Sequence, residues 1–182
     1  MLHNTKSTWG WLAKTLHWVG ALMIIILLAH GWWMTHMTPR PERLANYVWH
    51  SALGFDLLAL TVLRLLWRWL NPVPDLPSDS KPWERVSAHG VHVGLYVLIF
   101  VASLAGWVTA NTTRTPITRD LFGLAFPNIA SGVDRSVRNI FEESHMMLAY
   151  VLGVVVLVHV AGALRHHLLK HNDVLRRMTW EG

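Results

Sequence analysis

The sequence predicts an all-α integral membrane protein, a four-helix bundle running up-down-up-down, and three observations point there. Of its 182 residues, 52% are apolar and only 15% charged, against about 25% charged in a soluble domain. Four apolar stretches each approach the ~20 residues that a bilayer requires. Eleven tryptophans are many for this length. Several lie at the ends of those stretches, where an apolar ring with a polar N–H suits the membrane–water interface. The length fits a single domain, residues 1–182.

The first stretch covers residues 16–34, with 19–29 almost wholly apolar. It is long and lacks a small-residue cleavage site, so it is expected to persist as a helix and not be removed as a leader. The second covers residues 47–70 and is closed by Asn71-Pro72-Val73-Pro74; the third covers 86–110 and the fourth 144–169. Lipid offers no partner to unpaired backbone groups, so all four are expected to be helical. The link 35–46 is short and contains Pro39 and Pro41. The link 71–85 holds Pro72, Pro74, Pro77 and Pro82, which argues against a continuous helix. The longest link, 111–143, carries a less polar patch at 121–127, expected near the interface.

Charge orients the bundle. The side with both termini and the second link carries Lys6, Lys14, Arg64, Arg68, Lys81, Arg85, Arg165, Lys170, Arg176 and Arg177; the other carries Arg40, Arg43, Arg114, Arg119, Arg135 and Arg138. Ten against six favours both termini in the cytoplasm. The net charge of +5 lies in these loops and forms no separable basic stripe, so nucleic acid is not an expected partner. With no cysteine, disulfides, thiolate metal sites and cysteine-held iron–sulfur clusters are excluded.

Function is read from the histidines, of which there are twelve. Ionisable side chains within a membrane are costly and usually functional, although any single one can be a hydrogen-bonded structural residue. On the fourth helix His145 and His159 are 14 residues apart. That is about 21 Å along the axis and about 40° around it, one face at two depths. His17 begins the first helix at the inner side and His50 the second at the outer side. The economical pairing sets His17 against His159 and His50 against His145, each pair clamping one haem iron from both faces. Two b-type haems would then be stacked across the membrane. Neutral imidazole is a good iron ligand that burial favours, and filling both axial positions directs the cofactor to electron transfer. A zinc site is the rival, yet four histidines at two depths do not converge on one tetrahedral ion. His30, 13 residues after His17, is turned about 140° from it and is assigned to the outer interface. His3, His36 and His171 are read as solvated.

Other polar residues admit two readings each. Arg64 lies 14 residues after His50, on that face at the inner depth; it suits a haem propionate or snorkels with Arg68. Asp56 is read as a helix–helix hydrogen bond, with a proton relay as the alternative. His89 and His92, together with His166 and His167, are candidates to hold or protonate a quinone, or else lie beside headgroups. Gly90, Gly94, Gly106, Gly153 and Gly162 allow close helix approach or room for a macrocycle.

These segments resemble the bacterial di-haem cytochrome b561 family, related to the cytochrome b subunits of Ni-Fe hydrogenases and formate dehydrogenases. The resemblance spans about 14–178. It rests on Leu16-His17-Trp18, on His50-Ser51-Ala52-Leu53-Gly54 with Leu63-Arg64-Leu65-Leu66-Trp67-Arg68, and on Ala88-His89-Gly90-Val91-His92 leading to Tyr96. It continues in Leu121-Phe122-Gly123-Leu124 before Pro127, in Ser144-His145, His159 and His166-His167, and in Asp173-Val174-Leu175-Arg176-Arg177-Met178. It implies b-haem ligands at His17, His50, His145 and His159, and a multi-pass protein of the bacterial inner membrane. Members of this type include superoxide oxidases, which pass an electron from periplasmic superoxide through the haems to ubiquinone. Such a substrate favours a cationic outer surface; here Arg114, Arg119, Arg135 and Arg138 are balanced by Asp120, Asp134, Glu142 and Glu143. The alternatives are a non-catalytic subunit relaying a partner dehydrogenase's or hydrogenase's electrons to quinone, and a non-haem metal-binding membrane protein.

Overall fold

The computed structural model describes residues 1–39, 42–77, 80–113 and 116–180. Its frame is four helices, α1 (Trp11–His36), α2 (Arg43–Leu70), α3 (Pro82–Asn111) and α4 (Arg135–Leu168), followed by a short 3-10 turn at Arg176–Met178. The apolar stretches lie inside these helices, apart from Leu169, which caps α4. Local chemistry starts the last two. Pro82 opens α3 while the Glu84 carboxylate accepts from the Lys81 N–H at 2.9 Å, and the Asp134 carboxylate accepts from the Arg135 N–H at 2.7 Å, each satisfying an amide that the helix leaves unpaired.

Neighbouring helices are antiparallel. His17 on α1 meets Arg64 on α2, Phe55 on α2 meets Trp107 on α3, and Ala102 on α3 meets His145 on α4. The end with both termini is called inner below, the other outer. Three helices, α1, α3 and α4, are long and apolar enough to cross a membrane, with hydropathies of 1.9, 2.0 and 2.4. The helix that holds the second stretch, expected to match them, is longer than α1 but interrupted by Asp56, Arg64 and Arg68. Antiparallel to both α1 and α3, it returns the chain across the same thickness. Among the described residues there is no strand; Arg119 and Ala125 form an isolated antiparallel bridge.

Packing is uneven. The pairs α3 with α4, α1 with α2 and α2 with α3 are closely apposed, whereas α1 and α4, which would close the ring, meet only lightly. The core sits at mid-height, where Ile24, Leu27, Leu53, Leu57, Ile99 and Leu152 from all four helices form one buried cluster. Along α4 only Leu152 is buried, and Met147, Val154 and Leu157 present a broad apolar face suited to lipid.

Each end is closed by a cap. At the inner end Asn4 donates to the Pro72 carbonyl at 2.9 Å, Lys14 to Thr179 at 2.6 Å, Trp18 to Met178 at 2.8 Å and Arg177 to Asp75 at 2.7 Å. His3, expected to be solvated, stacks on Trp67 at 5.1 Å. Glu84 receives Arg165 and Lys170, both at 2.7 Å, which ties the inner ends of α3 and α4. At the outer end the patch expected at the interface folds back on the helices. Phe126 stacks on Phe55 at 4.5 Å beside Trp107, whose indole N–H donates to the Pro127 carbonyl at 3.1 Å. Asp120 accepts from the amides of Phe122 and Leu124 at 3.0 and 2.7 Å, leaving Phe122 84% exposed at the tip.

Candidate functional site

The four histidines singled out by depth and facing meet in pairs. His17 faces His159 with ring centres 6.1 Å apart, and His50 faces His145 at 6.1 Å. Between these pairs runs a repeated spacing of seven residues, about 10 Å of rise and nearly two full turns, which keeps one face. On α1 it links His17, Ile24 and Gly31; on α2, Arg64, Leu57 and His50; on α3, His92, Ile99 and Gly106; on α4, His159, Leu152 and His145. The site therefore has an inner layer of three imidazoles and a guanidinium. Above it lie a middle layer of four buried aliphatic side chains and an outer layer of two imidazoles and two glycines.

The outer layer is built around its rings. A Cβ on Gly106 would stand 3.0 Å from Cε1 and 3.1 Å from Nδ1 of His145, and one on Gly31 would stand 3.2 Å from Cε1 of His50. The Ala102 carbonyl lies 2.8 Å from Nδ1 of His145. A carbonyl only accepts, so Nδ1 carries the proton and Nε2 of the neutral ring keeps its lone pair. That hydrogen bond also fixes the ring's orientation, as for metal-bound histidines. His30, assigned to the outer interface, instead stacks on His50 at 5.8 Å and 19° and is held by Asn46 at 3.0 Å. Facing was judged against His17, yet Gly31, on the His17 stripe, lies against His50, and His30 is the next residue along α1.

The inner layer is more polar. Arg64 donates to Nδ1 of His17 at 2.8 Å and lies over the Tyr96 ring at 5.4 Å. A guanidinium only donates, so in that contact the neutral His17 ring carries its proton on Nε2. Ligation through Nε2 calls for the guanidinium to leave Nδ1, a move that suits a propionate partner. His92 joins this layer, with its ring 5.3 Å from that of His159. The other quinone candidates do not: His89 and His167 are exposed, and His166 pairs with Asn172 at 2.9 Å.

The donor set fits haem. Two imidazoles on opposite faces of one metal place their ring centres about 6 Å apart, from about 2 Å per metal–nitrogen bond plus the ring radius, and both pairs meet that spacing. Among the described residues no three His, Asp or Glu side chains converge to hold a bare metal ion. Toward the surface, the Leu121 amide donates to Asp56 at 3.4 Å, so this carboxylate ties the outer loop to α2. Arg138 pairs with Glu142 at 3.6 Å and Arg119 donates to the Gly123 carbonyl at 2.7 Å. Arg40 and Arg114 lie outside the described residues. Sequence reasoning missed His30, Gly31 and Tyr96; the seven-residue columns through His17 and His92 were the available signal for Gly31 and for the shared level of Arg64 and His92.

Comparison with known proteins agrees with this chemistry. The profile of the family described as Prokaryotic cytochrome b561 matches residues 8–181. The chain is 30% identical to Cytochrome b561 homolog 2 of Escherichia coli (strain K12) over 96% of its own length and 93% of that protein's. It is 25% identical to Probable superoxide oxidase CybB of Yersinia pestis, over 90% and 91% respectively. The chain belongs to the prokaryotic cytochrome b561 family of membrane electron-transfer proteins, whose cofactor is b-type haem.

Proposed function

We propose that this chain holds two b-type haems, the inner between His17 and His159 and the outer between His50 and His145, and carries electrons from superoxide to ubiquinone across a bacterial inner membrane. The observation that carries the reading is the facing imidazole pair at each of two depths, both at 6.1 Å. Held by a histidine from each side, each haem would supply one-electron transfer and offer no open site for oxygen. The chain's own residues hold, orient and insulate. Ala102 and Gly106 fix His145; Arg64 binds a propionate with its planar fork; Ile24, Leu57, Ile99 and Leu152 exclude water between the layers. His92, beside the inner pair, is the candidate to hold a quinone carbonyl. The balance is two superoxide anions giving two dioxygen molecules, while one ubiquinone takes two electrons and two protons.

Superoxide as the donor is supported by the relative from Yersinia pestis, whose name states that activity. The relay reading, in which a partner dehydrogenase supplies the electrons, is favoured by the surface: Arg138 is paired with the Glu142 carboxylate, which reduces the positive field available to an anion. Stopped-flow absorbance on purified protein separates the two. The expected results are two haems per chain and reduction by superoxide within the mixing experiment. Neutralising Arg119 and Arg135 together should slow it several-fold at low salt, as electrostatic steering requires. Haems that stay oxidised in superoxide but are reduced through a partner dehydrogenase would replace this reading with the relay.

A further inference from the structure

The two imidazole layers differ in charge, and that difference bears on the direction of electron flow. At the inner level the column on α2 supplies Arg64, whose guanidinium is 2.8 Å from Nδ1 of His17 and is also held over Tyr96. At the outer level the corresponding positions are His50, His145, Gly31 and Gly106, with no ionic side chain. The buried aliphatic layer between them keeps water out, so the field of a fixed charge is poorly screened over this distance.

We infer that Arg64 makes the inner haem the electron acceptor of the pair, holding its reduction potential above that of the outer haem and so setting the direction of flow from the outer end to the inner end. The inference rests on the two-haem reading above. Reduction lowers the charge at iron by one, and a nearby fixed cation favours the less positive state. The sign is the same wherever the guanidinium settles within its reach. Released from Nδ1 of His17 when that ring ligates, it stays a fixed positive charge beside the inner layer, and on a propionate it cancels a negative charge. A second observation acts from the other side. Nδ1 of His145 donates to the Ala102 carbonyl at 2.8 Å, which makes Nε2 of that ring a stronger electron donor to a bound metal, and a stronger donor favours the ferric state. The inner charge and the outer hydrogen bond therefore separate the potentials in one direction. The exchange between the irons moves one electron, with no proton and no change of bonds.

The test is a spectroelectrochemical titration of the haem-loaded protein, with the His145→Ala variant, which retains the inner haem alone, assigning the two waves. The expected result is that the inner haem is reduced first, with an equilibrium preference of tenfold or more, about 59 mV for one electron. Arg64→Gln should lower the inner wave more than the outer one and so bring the two together, and Arg64→Lys should keep most of the separation. Coincident waves, an outer haem reduced first, or an Arg64→Gln protein with an unchanged inner wave would each overturn the inference. If the Gln variant loses its inner haem, the wild-type order and the Lys variant still decide. A wild-type protein without haem would instead remove the two-haem reading itself, which keeps the two failures apart.

Discussion

At the scale of single residues, the outer layer depends on what is missing from two side chains. Gly106 lies against His145 so closely that an added methyl would stand 3.0 Å from the ring, tighter than ordinary van der Waals contact. The ring cannot retreat without giving up its hydrogen bond to Ala102. On the two-haem proposal, Gly106→Ala should therefore cost the outer haem while sparing the inner one, about halving the pyridine haemochrome yield per chain. Gly153→Ala is the control. Its added methyl would meet only the Leu28 Cδ1 at 3.9 Å, and the haem content should match that of the wild type. Equal yields from both variants would mean that the seat at Gly106 has no bearing on the site. The pairing of four histidines was legible in the sequence because 14 residues return a helix to nearly the same face. The seats were not, because a glycine carries no chemical label and its meaning appears only once the opposing ring is in place. His30 was misread for a related reason, since its orientation within α1 says nothing about which neighbour that stripe meets.

At the scale of elements, the four helices were legible from hydropathy and the loops were not. A bilayer forces any sufficiently apolar run into a helix; no comparable rule dictates how residues 112–134 fold back. There the decisive contacts are aromatic and tertiary. Phe55, only 3% exposed, is stacked by Phe126 at 4.5 Å and edged by Trp107 at 5.8 Å. The same loop is tied by Asn111, which donates to the Ile117 carbonyl and accepts from the Ile129 amide, both at 2.9 Å. Asp56, read from the sequence as a contact between helices, proves to reach the loop's backbone. Phe55→Ala removes the platform and should cost about 3 kcal/mol, the usual penalty for a buried phenylalanine. Because the core cluster around Leu152 is separate, the loss should appear as a freed loop with the bundle intact. Limited trypsin digestion should then cut at Arg119 at least tenfold faster than in the wild type while the haem spectrum is kept. Unchanged cleavage would show that the aromatic stack does not anchor the loop.

At the scale of the whole molecule, antiparallel helices with matching seven-residue columns give a site with two distinct ends, and the orientation of those ends decides which reactant each one meets. The charge bias of ten basic residues against six argues for both termini in the cytoplasm. The structure holds several of the inner cations where they are. Lys14 is 4% exposed and bonded to Thr179, and Arg165 and Lys170 are anchored on Glu84. These contacts keep the charge at one end of the bundle, where flipping would drag it through the bilayer. The absence of cysteine makes the orientation directly measurable, since any introduced thiol is unique. Phe122→Cys, at the exposed tip of the outer loop, should react with a membrane-impermeant maleimide in intact spheroplasts. Trp180→Cys, which is 62% exposed beyond the inner cap, should react only after the membrane is opened. The reverse pattern would place the Arg64 layer on the outside, so that a potential gradient set by that residue would draw electrons outward and quinone reduction would have to be sought at the other face.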